Sequence, residues 1–167
     1  MTETGFVPQA RYMMRSLDLA KQAAAMGEVP VGAVVVQKST GRIIGEGYNR
    51  REIDRSPLAH AEIMAIDAAS RNLGGWRLLD SVLYVTLEPC CHQGKTPPCT
   101  DIIIERGIGR VFIGAMDPNP KVAGKGAQIL RDHGIQVETG ILEKECLELN
   151  EVFMHFITRN IPYIAMK

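Results

Sequence analysis

Hydrophobic and polar positions along the chain switch between the period of a helix and the period of a strand. Residues 10–27 carry apolar side chains three to four residues apart and end in Gly27, which predicts an amphipathic helix with a C-terminal stop. Residues 29–37 and 41–49 are two short runs rich in apolar and β-branched residues. The turn between them ends in Gly41, so the pattern predicts a β-hairpin.

The rest of the chain alternates between the two patterns. It predicts a helix over 60–72, a strand over 81–87, a helix over 97–107, a strand over 109–115, a helix over 124–134, a strand over 135–140 and a helix over 143–160. In the helix over 60–72, Ile63, Ile66 and Ala69 fall on one stripe. Strands that alternate with helices after an initial hairpin predict an α/β fold, a three-layer α/β/α sandwich around a mixed five-stranded sheet. We expect a single domain over residues 1–167.

The composition and the net charge limit the kinds of partner that this protein is expected to bind. Lys and Arg number 19, as do Asp and Glu, and the formal net charge of +0 disfavours binding to nucleic-acid phosphates. No apolar run approaches the roughly 20 residues that span a bilayer, and the first 16 residues lack the apolar core of a secretory signal. Three of the four cysteines fall within ten residues, which favours a metal site in a reducing cytoplasm over a disulfide framework. We therefore expect a cytoplasmic protein without a membrane or nucleic-acid partner.

Two short motifs carry metal-ligand chemistry. His60 and Glu62 lie where a loop passes into a predicted helix, a weak signal alone because a histidine there is commonly a cap or packing residue. Cys90 follows a buried strand, and Cys99 falls in the first turn of a predicted helix, where a thiol pKa is lowered and the metal-binding thiolate is favoured. Three ligands, His60, Cys90 and Cys99, leave a fourth tetrahedral position for water, as in catalytic zinc sites. Glu62 is then available to carry protons as the catalytic residue.

The cysteine spacing departs from the signature of zinc deaminases, in which H-x-E is followed by P-C-x-x-C. The residue three after Cys90 is Gln93, and the next cysteine beyond the adjacent Cys91 is Cys99, nine residues on. The site is therefore either broken or a variant with a loop inserted between its ligands. The preceding Pro-Pro favours the inserted loop, because it places Cys99 at a helix N-terminus. The alternative to a metal site is that these residues are buried free cysteines beside a surface histidine. Of the other two cysteines, Cys91 is interpreted as a loop residue that does not bind the metal, and Cys146 as a core residue.

Three stretches of the chain resemble one known family, and the spacing PC…GKTPPC in the first of them is highly specific to that family. TLEPCCHQGKTPPCTDIIIERGI (86–108), AMDPNPKVAGKG (115–126) and LNEVFMHFITRNIPYIAMK (149–167) resemble the deaminase domain of bacterial riboflavin biosynthesis enzymes. That family deaminates 2,5-diamino-6-ribosylamino-4(3H)-pyrimidinone 5′-phosphate. The resemblance covers residues 60–167. It implies a cytidine-deaminase-like fold with Zn²⁺ held by His60, Cys90 and Cys99 and with Glu62 as the proton carrier.

The same resemblance implies the residues that contact the substrate. His92, Lys95 and Thr96 match substrate-facing positions of the inserted loop, and Asn119 matches a substrate-contacting asparagine. Lys95 offers a point charge to a phosphate or a ring carbonyl, and Asn119 offers both a donor and an acceptor to a pyrimidine edge. Residues 123–126 lead into a predicted helix, so we expect their backbone N–H groups to meet an anion such as the ribose phosphate.

The first part of the chain is similar to a second family, the bacterial tRNA adenosine deaminases. EVPVGAVVV (28–36), GEGYNRREIDRSPLAHAEIMAI (45–66) and GGWRLLDSVLYVTLEPC (74–90) carry this resemblance. Riboflavin deaminases have an Asn-Pro where this chain has Val29, so one substrate-contacting asparagine is missing here. Asn49 matches an asparagine that contacts the nucleoside in tRNA and guanine deaminases, and it is the expected replacement.

We predict a zinc-dependent aminohydrolase of riboflavin biosynthesis that acts on a small phosphorylated aminopyrimidine. One alternative is another deaminase, acting on tRNA adenosine or on free guanine or cytosine; the inserted loop and the neutral charge disfavour it. A second alternative is a non-catalytic zinc-stabilised partner subunit. The riboflavin family also implies a homo-oligomer. Its members commonly carry a reductase domain after the deaminase, which is not expected within these 167 residues.

Overall fold

The computed structural model describes residues 9–92, 94, 96–117, 120 and 122–159, with side chains described as far as residue 151. Helices and strands follow one another as α1 (Ala10–Ala25), β1 (Gly32–Gln37), β2 (Ile43–Tyr48), α2 (Ala61–Leu73), β3 (Ser81–Leu87), α3 (Cys99–Glu105), β4 (Arg110–Ala115), α4 (Lys125–Asp132), β5 (Gln136–Thr139) and α5 (Glu143–Arg159). This order is the one that the hydrophobic pattern predicts. Among the described helices, none combines the length and the apolarity that a membrane crossing requires.

The strands form one mixed sheet in the order β2-β1-β3-β4-β5. β1 runs antiparallel to both β2 and β3, whereas β3, β4 and β5 are parallel to one another. The predicted hairpin is therefore the antiparallel edge of an otherwise parallel sheet. The prediction of a five-stranded mixed sheet is confirmed.

Each face of the sheet is covered by its own set of helices. Because successive strand residues point to opposite faces, Val34 and Phe112 pack with α1 and α5, whereas Val35 and Val111 pack with α2, α3 and α4. The predicted three-layer α/β/α sandwich is confirmed. Cys146 on α5 is 1% exposed and belongs to the first of these cores, as expected of a structural cysteine.

Helix α2 lies directly on strand β2, because two glycines of the strand leave room for its backbone. A Cβ atom at Gly47 would lie 2.4 Å from Ala61 O and 2.6 Å from Ala65 N, and one at Gly45 would lie 2.1 Å from Ala65 O. The buried face of α2 accordingly consists mainly of alanines. Ile63, which the sequence pattern places on the buried stripe, is only half-buried. This close contact fixes the N-terminus of α2, where His60 and Glu62 lie.

Replacing Gly47 by Ala is expected to lower the free energy of unfolding by about 3 kcal/mol, because the added methyl group meets backbone atoms that cannot rotate away. Gly75→Ala is the matched control, since a Cβ atom there meets nothing within 4 Å. We expect its effect to stay within about 0.5 kcal/mol. Urea unfolding of the two variants measures the difference, and a Gly47→Ala protein as stable as Gly75→Ala would contradict the close contact.

Candidate metal centre

The predicted metal ligands come together where three elements end or begin. His60 is the residue before the first turn of α2, and its side chain forms no capping hydrogen bond. Cys90 lies three residues beyond the end of β3, and Cys99 is the first residue of α3. One ring nitrogen of His60 and the sulfur atoms of Cys90 and Cys99 all lie within 4.8 Å of one another.

The nine-residue separation of the two cysteines is closed by direct contacts. The backbone N–H of Cys99 donates to Cys90 Sγ at 3.3 Å, and the N–H of Thr100 donates to Cys90 O at 3.2 Å. A hydrogen bond from the Cys99 thiol lowers the pKa of Cys90, and the same contact raises the pKa of Cys99. The thiolate of the pair therefore forms first at Cys90. The inserted-loop interpretation of this spacing agrees with the geometry.

His60 is held in the form that binds metals. Partial burial lowers the pKa of His60, and its proximity to Arg51 and His92 lowers it further. At neutral pH its ring is therefore uncharged and keeps one nitrogen lone pair for a cation.

Glu62 lies in the first turn of α2 and is 5% exposed. Burial raises the pKa of Glu62 to about 8, and the nearby Cys90 raises it as well, whereas a hydrogen bond with the Cys99 thiol lowers it. The carboxyl is thus in contact with the cysteine pair and exchanges its proton near neutral pH. A buried acid of this kind is suited to proton transfer.

The chemistry of the donor set fits zinc. One imidazole and two thiols are ligand types that zinc prefers, and tetrahedral Zn–N and Zn–S bonds of normal length place ligand atoms roughly 3.6–3.8 Å apart. The three atoms of His60, Cys90 and Cys99 lie within 4.8 Å, close to that spacing. Three protein ligands would leave one coordination position open.

The predicted substrate contacts are described in part. Asn49 is buried, its Nδ2 donates to Val29 O at 3.4 Å, and its Oδ1 accepts from Arg51 N at 3.4 Å. His92 is exposed and close enough to His60 and Cys90 for its charge to lower the pKa of both. Thr96 is half-buried. Lys95 and Asn119 lie outside the described residues.

The expectation that residues 123–126 receive a substrate anion stays a prediction, but the N–H groups of Gly124 and Lys125 are already bonded within the protein. The N–H groups of Gly124 and Ala127 donate to the two carboxylate oxygens of Glu88, each at 3.1 Å. The negative charge that a helix N-terminus favours therefore comes from within the protein. The sequence reasoning missed Glu88, although its place between a buried strand and Cys90 marked it as a carboxylate near the site.

Glu28 is a second buried carboxylate near the site that the sequence patterns did not predict. Glu28 is 5% exposed, and its Oε1 accepts from Ile53 N at 2.8 Å. This bond ties the turn before β1 to the loop that leads to His60. The EVPVGA stretch that carries the second resemblance therefore supports the site through Glu28.

An α/β/α sandwich with one imidazole, two thiols and a buried carboxyl grouped at helix N-termini defines the class of zinc-dependent deaminases. Residues 8–115 match the family described as the cytidine and deoxycytidylate deaminase zinc-binding region, and the chain belongs to this family.

Several curated proteins are similar over most of this chain. It is 46% identical over 158 residues to the riboflavin biosynthesis protein RibD of Actinobacillus pleuropneumoniae, which covers 93% of this chain and 39% of that protein. It is 40% identical over 153 residues to the diaminohydroxyphosphoribosylamino-pyrimidine deaminase of Buchnera aphidicola subsp. Schizaphis graminum, covering 90% of this chain and 97% of that one. The chain thus spans about two fifths of the RibD relatives and nearly all of the Buchnera protein.

Solved structures give the same fold. A crystal structure of a diaminohydroxyphosphoribosylaminopyrimidine deaminase/5-amino-6-(5-phosphoribosylamino)uracil reductase from Thermotoga maritima is 47% identical, with a TM-score of 0.77 over 92% of this chain and 42% of that chain. A structure from work on deaminases that edit the wobble position of transfer RNA is 34% identical, with a TM-score of 0.72 over 84% of this chain and 99% of that chain. Both resemblances inferred from the sequence, and the cytidine-deaminase-like fold, are confirmed.

Proposed function

We propose that the chain is a zinc-dependent hydrolytic deaminase of riboflavin biosynthesis, with 2,5-diamino-6-ribosylamino-4(3H)-pyrimidinone 5′-phosphate as its substrate. The observation that carries the proposal is the grouping of His60, Cys90 and Cys99 around the buried Glu62. The 40% identity to the Buchnera deaminase, which this chain matches over 97% of its length, supports the choice of substrate.

His60, Cys90 and Cys99 would hold the zinc ion, which supplies a water molecule made acidic enough to attack at neutral pH. Glu62 takes a proton from the attacking water and delivers it to the ring nitrogen next to the carbon that carries the exocyclic amine. It then moves a second proton to that amine, the carbon–nitrogen bond breaks, and ammonia leaves. The sum is amine plus water giving carbonyl plus ammonia. A carboxyl with a pKa of about 8 is suited to both proton transfers near neutral pH.

The substrate side of the site would be formed by Asn49, His92 and Thr96, together with Lys95 and Asn119. Asn49 uses one N–H and one lone pair in its bonds to Val29 O and Arg51 N. A second N–H and a second lone pair remain on the same amide for a substrate. His92 stands exposed beside the metal ligands, where it can reach a molecule entering from solvent.

A tRNA deaminase is the second candidate function. The observation that favours it is the 34% identity to the tRNA deaminase structure, of which this chain covers 99%. The formal net charge of +0 weighs against a polyanionic substrate. The eight residues between Cys90 and Cys99 also distinguish this chain from the two-residue spacing of the zinc deaminase signature.

Incubating the zinc-loaded protein with the aminopyrimidine phosphate, with tRNA and with guanine separates these functions. We expect ammonia release from the aminopyrimidine phosphate at a kcat/KM at least a hundredfold above that of the other two. If ammonia is released preferentially from tRNA or guanine, that molecule is the substrate instead. Full zinc content without ammonia from any of the three would indicate a non-catalytic partner subunit.

A further inference from the structure

Glu88 is a buried carboxylate that does not belong to the proposed ligand set. It accepts hydrogen bonds from backbone N–H groups after β4 and at the start of α4. Glu88 directly follows β3 and is 6% exposed. Its Oε2 accepts from Asp117 N at 3.0 Å and from Gly124 N at 3.1 Å, and its Oε1 accepts from Ala127 N at 3.1 Å. Three backbone donors therefore converge on this one side chain.

These bonds join the residue that follows β4 to the residue that precedes α4. Asp117 lies two residues after β4, and Gly124 directly precedes α4, so one oxygen of Glu88 holds Asp117 and Gly124 together. Glu88 is itself fixed to β4, since its N–H donates to Ala115 O at 2.9 Å. The positions of Asp117 and Gly124 relative to β3 therefore depend on this carboxylate.

The first turn of α4 also lies against the turn that carries Cys90. A Cβ atom at Gly126 would lie 2.4 Å from Pro89 O and 3.3 Å from Glu88 Cγ, so the two backbones are in direct contact. Glu88 thus lies between the residues that lead to Cys90 on one side and Asp117 and Gly124 on the other. In the sequence, Asn119, one of the proposed substrate contacts, falls between Asp117 and Gly124.

We propose that Glu88 is a positioning residue for the deamination reaction, holding Asp117 and Gly124, which flank Asn119 in the sequence, at a set distance from the residues that lead to Cys90. This inference rests on the proposed function, because it assigns substrate binding to Asn119. Glu88 is neither one of the proposed zinc ligands nor one of the proposed substrate contacts, and it acts through the backbone that it fixes.

The Glu88→Gln variant tests this role. The amide keeps the shape of the side chain but replaces one acceptor oxygen by an NH₂ group, which faces a backbone N–H and cannot accept from it. We expect KM for the aminopyrimidine phosphate to rise about tenfold while kcat stays within about threefold of wild type and the zinc content stays unchanged. A rise in KM at constant kcat is the mark of lost substrate binding, which a general loss of folded protein does not produce.

Asp80→Asn is the matched control at the opposite end of the same strand. Asp80 directly precedes β3, is exposed, and accepts from Ser39 N at 3.2 Å. The chemical change is the same, but it lies away from Asp117 and Gly124. We expect wild-type KM and kcat from this variant.

A folded, zinc-loaded Glu88→Gln protein with wild-type KM would overturn the proposal, and so would a loss of kcat that follows the loss of zinc. If the variant does not fold, amide hydrogen exchange in the wild-type protein provides the test. Slow exchange at Asp117 and Gly124 supports the proposal, and unprotected exchange at both overturns it. If the aminopyrimidine phosphate is not deaminated, the proposed function fails separately, and KM is compared with the substrate that does release ammonia.

Discussion

The Glu62→Gln variant is expected to bind one zinc ion and to lose turnover by about a thousandfold or more. The amide matches the carboxyl in shape but cannot accept the proton of the attacking water or return it to the leaving amine, and general acid–base catalysis is worth about 10²–10⁴-fold. Glu62 is 5% exposed, and the amide fits the same buried space as the carboxyl. We therefore expect the variant to fold normally.

Glu46→Gln is the control for this change. Glu46 lies on β2, is partly exposed, and pairs with Arg15 at the surface. We expect its turnover to equal that of wild type. Turnover is measured by ammonia release, and zinc binding by the metal content of the purified variants. Normal turnover by Glu62→Gln would show that Glu62 does not carry the protons.

The Cys90→Ser and Cys91→Ser variants are expected to differ sharply although they change neighbouring residues. Cys90 Sγ belongs to the cluster with His60 and Cys99, whereas Cys91 is not part of it. Burial raises the pKa of the Cys91 thiol, which disfavours the metal-binding thiolate. We expect Cys90→Ser to lose more than about a hundredfold in zinc affinity, and its turnover with it, because even the loss of a supporting contact costs 10–100-fold.

Cys91→Ser is expected to keep stoichiometric zinc and wild-type turnover. Metal content after dialysis and competition with a chromophoric chelator measure both affinities. Zinc retained by Cys90→Ser, or lost from Cys91→Ser, would contradict the ligand set of His60, Cys90 and Cys99.

The fold could be predicted from the sequence because helix and strand periods are well separated along this chain. The strand over 81–87 has the predicted bounds, and Gly27, Gly41 and Gly107 all adopt the positive φ of a turn or a helix end. The direct contact between α2 and β2 could not be predicted. Gly45 and Gly47 are visible in the sequence, but nothing local identifies the helix that packs on them.

The grouping of His60, Cys90 and Cys99 could also be predicted, since Pro97 and Pro98 indicate a helix whose first turn contains Cys99. The role of Glu88 could not, because its three donors lie 29, 36 and 39 residues further along the chain. The same long-range contacts explain why Gly124, within the predicted anion site, donates to an internal carboxylate. Local sequence patterns indicate that a helix N-terminus favours negative charge, but not which group supplies it.

The proposed reaction removes an amine from the phosphorylated aminopyrimidine by adding water. Its most direct test is the reaction of the zinc-loaded wild-type protein with that substrate in heavy-oxygen water. We expect one ammonia for each product molecule, one heavy oxygen on the carbon that carried the amine, and loss of both when the zinc is removed by a chelator. Absence of ammonia, or a product without oxygen from the solvent, would contradict hydrolytic deamination of this substrate.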